Sequence, residues 1–227
     1  MSRIASRDPS IHGLTARLSR SDLLWVANTA HGPGGHWHAR VRGDEPDHDH
    51  LASPEAARLY LADHRVPVPD GLPGAAALHE LAVVRAIVQR LTRPVVDPWS
   101  DEGRRLLASA SFRLDPDGRL SAADPGWHGL CRDLLLPLVA LVDEGTPLGR
   151  CSNPACRLVF QDASRNHARR WCDTGGCGNR DRVRRARRKS SVTTAAPGRP
   201  VAPAPAGSSR GSTRRQGVQA NAIDRDR

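Results

Sequence analysis

Cys151-Ser152-Asn153-Pro154-Ala155-Cys156, fifteen intervening residues, and then Cys172-Asp173-Thr174-Gly175-Gly176-Cys177 running into Gly178-Asn179-Arg180 form the stretch that decides the fold of the second half of the chain. Two short-spaced thiol pairs joined by a longer loop suit one tetrahedral metal ion, each pair making a turn that presents two sulfurs. Paired disulfides are the other reading. The small flanking residues and the lack of a secretory leader favour zinc held by Cys151, Cys156, Cys172 and Cys177. Four thiolates would close the ion's shell and leave no position for a reacting water, so a structural metal is expected and no enzyme activity. Phe160 and Trp171 are the module's aromatic residues and are expected to form its miniature core. Gly178 is expected to leave the second turn with a positive φ, and Asn179 or Asp181 to cap the helix that follows.

Charge runs outward from the same place. Between Arg150 and Lys189 there are twelve Lys/Arg against three Asp/Glu, whereas residues 1–149 carry 16 against 19. A basic module on a slightly acidic body implies a polyanionic partner. Arg180, Arg182, Arg184, Arg185, Arg187, Arg188 and Lys189 fall on the helix expected after Cys177, and Arg165, Arg169 and Arg170 precede Cys172. These are the expected nucleic-acid contacts, with Val183 and Ala186, three apart, turned toward the zinc core. Double-stranded DNA is favoured over RNA because no aromatic residue is left for base stacking. A solvated basic face, or a zinc-stapled docking surface for another protein, is the competing reading.

The chain ahead of the cysteines reads as helical. Residues 1–20 are polar and expected to be flexible. Ser21-Asp22 would open a first helix, Ser53-Pro54-Glu55 a second, and residues 75–92 show the clearest amphipathic period. A shorter helix over 100–109 follows Pro94 and Pro98. Asp115-Pro116-Asp117-Gly118 marks a hairpin, and 127–142 a further helix kinked at Pro137. The expected fold is therefore mainly α with a minor β element. It comprises a helical domain over 21–146, a small treble-clef-like or ribbon-like zinc finger over 147–190, and a disordered basic tail over 191–227. No segment reaches the roughly 18 apolar residues of a membrane span, and a cytoplasmic location is expected. Cys131 sits in an apolar helical pattern as an inert thiol. His36-x-His38 and His48-x-His50, with Asp47 and Asp49, resemble a ligand site, although loops of that composition are usually just solvated.

Leu158-Val159-Phe160-x-Asp162-x-Ser164-Arg165-Asn166, Arg170-Trp171-Cys172 and Cys177-Gly178-Asn179-Arg180, together with the cysteine spacing, resemble the CGNR zinc-finger proteins of bacteria. Asn28-Thr29 and His50-Leu51-Ala52-Ser53-Pro54-Glu55 resemble that family's N-terminal ABATE domain, described as a stress-induced transcription regulator. The resemblance implies a zinc-binding, DNA-binding regulator whose N-terminal domain senses an unidentified effector or forms a homodimer. The tail beyond Lys189 is outside the pattern.

Overall fold

A computed structural model describes residues 10–11, 14–32, 47–93 and 97–193. The His36-x-His38 motif, the Pro94 helix stop, residues 1–9 of the flexible N-terminus and residues 194–227 of the tail lie outside the described residues. About half of the described chain is helical, and small sheets make up more than the single expected hairpin.

Two units divide within the last helix, Met1–Arg187 and Arg188–Arg227. In the second, residues 188–193 continue that helix. The first is built around α3 (Ala75–Arg90), whose Ala77, Leu81, Val84 and Val88 recur at helical spacing and are fully buried. Packed against it are α1 (Arg20–Ala27), α2 (Pro54–Asp63), α4 (Asp101–Ala108) and α5 (Gly126–Asp133). A Cβ on Gly103 would lie 2.5 Å from the Ile87 side chain, so glycine lets α4 cross close to α3. Cys131 is fully buried in this core, where loss of solvation pushes its thiol pKa upward, as an inert thiol requires.

Several expected boundaries move for local reasons. Helix α1 starts two residues earlier than Ser21-Asp22 suggests. Ser19 is its N-cap, and Asp22 returns the bond to the Ser19 amide at 2.7 Å, completing a capping box. The long C-terminal helix breaks at Leu134 into α5 and α6 (Leu135–Asp143), not at Pro137. Proline cannot donate to the carbonyl four residues back and crowds it, so the break falls before Pro137, which then occupies the tolerant first turn of α6.

The N-terminal residues expected to be loose include two strands. β1 (Ser10–Ile11) and β2 (Leu14–Ala16) join the hairpin of β5 (Phe112–Leu114) and β6 (Arg119–Ala122) in a four-stranded sheet of order β1-β2-β6-β5. Here β2 runs parallel to β6. Strands of two or three residues show no usable alternation, so only their partner across the chain makes them legible. Next to this sheet, Asp133 accepts from the Ala122 amide at 2.5 Å and fastens β6 to α5. The remaining two-stranded pieces are β3 (Ala30–His31) with β4 (His48–Asp49), and β7 (Leu148–Arg150) with β8 (Val159–Gln161).

Candidate metal centre and the basic helix

The β7–β8 hairpin holds the first two cysteines in its connection. Asn153 shapes that turn: its carbonyl accepts from the Cys156 and Arg157 amides at 2.8 and 3.1 Å, and its side-chain oxygen from Ala155 at 3.2 Å. Arg157 takes a left-handed φ of 58° where the chain swings back into β8. Asp173 begins the second half. Its carboxylate accepts from the Gly176 amide and caps a π-turn, Thr174–Gly178, that leads directly into α7 (Asn179–Thr193). The cap is therefore Asp173, displacing Asn179 and Asp181 from the role the sequence suggests. Asn179 is itself helical and accepts from Arg182 at 3.1 Å. Gly178 does not adopt a positive φ; its lack of a side chain leaves room for the Trp171 indole, which a Cβ there would approach to 3.2 Å.

These turns bring all four sulfurs within 4.8 Å of one another, with Cys156–Cys172 at 3.6 Å and Cys172–Cys177 at 3.8 Å. Four sulfurs at about 2.3 Å from a tetrahedral ion stand about 3.8 Å apart, so the donor set fits one zinc ion. All four cysteines are free thiols, which removes the disulfide reading. Their mutual hydrogen bonds hold Cys151 low, through Cys156 first, and push Cys172 up, through Cys151 first. So crowded a set cannot ionise fully by itself, and a divalent cation supplies the charge that lets all four become thiolates. The Asn153 side-chain amide donates to Cys177 Sγ at 3.6 Å, an outer partner of the kind that orients a ligand.

Cys151, Cys156, Leu158, Phe160 and Cys177 are buried together, with Trp171 and Cys172 half-buried against them. Beside this small core, Asp162 accepts from Ser164 and from the Arg169 amide at 2.9 Å each. Although burial opposes it, these bonds hold the Asp162 carboxyl below its usual range.

The basic residues separate by job. Arg169 is committed to the finger's own structure: its guanidinium donates to the carbonyls of Trp171, at 2.7 Å, and Cys172, and stacks 5.0 Å from the Phe160 ring centre. Arg170 lies over Trp171 at 5.3 Å, and Arg165 is exposed in the loop. On α7, Asp181 is only 7% exposed and is clasped by Arg184 at 2.7 Å and Arg185 at 2.6 Å, which hold its carboxyl low against the cost of burial. Val183 is 42% exposed and Ala186 is also on the surface, so the apolar pair does not face the zinc core. The inward position is Asp181, because two arginines one turn on satisfy it there. Arg180, Arg182, Arg187, Arg188 and Lys189 are all exposed.

The finger is seated on the helical body by contacts the sequence does not announce. Asn28 is buried at the C-terminus of α1. Its side chain accepts from the Val159 amide at 2.7 Å and donates to the Val159 carbonyl at 3.0 Å, as a neighbouring strand would. Its own carbonyl accepts from the Tyr60 hydroxyl at 3.0 Å. The Gly32 amide donates to the Cys156 carbonyl at 2.9 Å, and a Cβ on Gly32 would lie 2.6 Å from the Ala155 backbone. Asp47 pairs with Arg157, and Leu148 and Val159 pack into the core of the body. The two regions keep distinct buried clusters, as the sequence suggests, but Leu148 and Val159 of the finger's hairpin belong to that of the body.

Among the described residues no helix is long and apolar enough to cross a membrane. No curated protein matches the chain. The stretch that carries the four ligands, residues 148–190, matches the family described as the CGNR zinc finger, and its four cysteines make the site of one structural zinc ion.

Proposed function

We propose that this protein is a DNA-binding transcriptional regulator in which the zinc finger presents α7 to duplex DNA. One observation carries the reading: a helix anchored at the fourth ligand turns its single buried acid inward, leaving an outward face that is basic and almost free of acids. With Asp181 on the covered side of the helix, helical spacing puts Val183 on the opposite side, flanked by Arg180 and Arg187 on one edge and Arg182 on the other. Arginines beside a small apolar patch suit phosphates and the groove edge they border. Arg184 and Arg185, occupied with Asp181, act as supports for the helix start and not as readers. A filled four-thiolate shell supports binding over catalysis. The helical body would carry the regulatory input, by sensing a signal or by forming a homodimer.

The test is binding of the zinc-loaded protein to duplex DNA and to matched duplex RNA across a salt series, by fluorescence anisotropy. Tighter binding to DNA, with log K falling by several units per decade of salt and lost on chelation, is expected. Preference for RNA would make it an RNA-binding accessory factor. Failure to bind either, with zinc in place, would leave the basic surface as a docking site for protein.

A further inference from the structure

The loop acids that the sequence groups with the histidines are used elsewhere: Asp47 pairs with Arg157, and Asp49 accepts from Arg85 at 2.6 and 3.2 Å. The histidines converge without them. His31, only 3% exposed at the end of β3, has its Nδ1 2.7 Å from the Gly32 carbonyl, which fixes that nitrogen as the donor and aims the Nε2 lone pair away from it. His50 Nε2 stands 3.2 Å from His31 Nε2. The His48 ring completes a triangle, its centre 5.3 Å from that of His31 and 5.9 Å from that of His50, while the His31 and His50 centres are 5.2 Å apart. On the far side Tyr60 stacks on His50 at 4.2 Å and holds the ring in place.

Two imidazoles bound to one tetrahedral ion at about 2.0–2.1 Å have their nitrogens about 3.3–3.4 Å apart, close to the His31–His50 separation. An Nδ1–H donated to a backbone carbonyl is also the arrangement that orients a metal-binding imidazole. A simple N–H···N bond explains the distance for two rings. The antiparallel pairing of His31 with His48 across β3 and β4 brings the third ring to the same spot, close to the zinc turn.

We propose that His31 and His50, with His48 beside them, form a second metal site that takes an imidazole-preferring divalent transition ion such as zinc, nickel or cobalt. It is separate from the four-cysteine site and does not depend on the protein's binding DNA. With two ligand nitrogens in place and positions left open, it takes its ion reversibly, whereas the closed thiolate site holds zinc through purification. Its neighbour Gly32 donates to the Cys156 carbonyl, so the two sites share a backbone link.

The experiment titrates nickel chloride into the zinc-loaded protein, with elemental analysis after gel filtration and isothermal calorimetry. About one nickel per chain should bind while the zinc content stays unchanged. His50→Ala should weaken that binding by tenfold or more, and His48→Ala by less. In the unaltered protein, paramagnetic nickel should broaden the imidazole signals of His31, His48 and His50 before those of His79 and His128. No nickel uptake beyond zinc exchange, equal uptake by a folded His50→Ala protein, or broadening centred on other histidines would each overturn the proposal. The signal-broadening experiment decides the matter if either variant fails to fold.

Discussion

The helical body and the zinc finger reach stability by opposite routes. The body buries a continuous set of aliphatic side chains from α1 to α6, with α3 at the centre. The finger's own buried cluster holds five residues, three of which are cysteines. A core that small cannot offset the entropy of ordering some forty residues, so the ion must supply what side-chain burial does not. The difference also explains the seams. The body turns one strand-like edge, Asn28, toward β8 and places Leu148 and Val159 among its own buried residues, so the finger borrows part of a core it lacks.

Removing the ion is the strongest way to break this comparison. Structural zinc contributes about 10–16 kcal/mol in small modules, so chelation or Cys172→Ser should unfold the finger. Because the finger's Leu148 and Val159 lie in the body's core, the body's thermal midpoint should fall as well. An unchanged midpoint, read by calorimetry of the folded remainder, would mean that Leu148 and Val159 add nothing to the stability of the body.

The seam itself is tested by Asn28→Ala. It strands a buried amide and a buried carbonyl of Val159, a loss of about 2–4 kcal/mol. Denaturant unfolding should show that loss with zinc still bound. A change under half a kilocalorie would mean that water replaces both bonds and that Asn28 is not the tether.

On the DNA-facing side, the division of labour along α7 predicts a contrast between two double variants. Arg180→Gln with Arg187→Gln should reduce the salt slope of duplex binding by roughly two units, at about 0.9 per phosphate contact. Arg184→Gln with Arg185→Gln should instead leave the slope nearly unchanged and loosen the helix start, seen as faster amide exchange near Asp181. The reverse pattern would return the reading face to Arg184 and Arg185.

The smallest effect concerns the ion pair at the edge of the body. Partial burial raises the Asp49 carboxyl, but the Arg85 guanidinium and the Leu51 amide outweigh it and hold the pKa below 3.8. A carboxyl lowered on folding stabilises above its unfolded value, and that contribution disappears as pH falls through the lower folded one. Asp49→Asn should therefore be less stable than the parent near neutrality, with the gap closing below about pH 3.8 in urea melts. A gap that persists at pH 2 would assign the loss to packing instead of charge.

Much of the candidate site was legible because local spacing dictates it. Cysteine pairs separated by four residues make metal-binding turns wherever they fold, and the helices over 54–63, 75–90 and 101–108 follow from their caps and apolar period. The part Arg169 plays inside the finger was not legible, because a guanidinium folded back onto two carbonyls and a phenyl ring looks, in sequence, like any other basic residue. Val183 was misread because apolar spacing says which residues share a face, and not which way the face points. The strands β1 and β2 gave no signal at all, since β2 pairs with the two residues of β1 on one side and with β6, a hundred residues away, on the other.

By itself, then, the sequence determined the four thiolates, the single ion they hold, the main helices and the charge carried by α7. Each of these depends on chemistry within a few turns of chain. Tertiary structure alone decided that Asp181 faces inward, that Asn28 stands in for a strand beside Val159, and that His31, His48 and His50 meet. Those arrangements depend on which distant groups can satisfy one another's hydrogen bonds once water is excluded, and no local pattern records that choice.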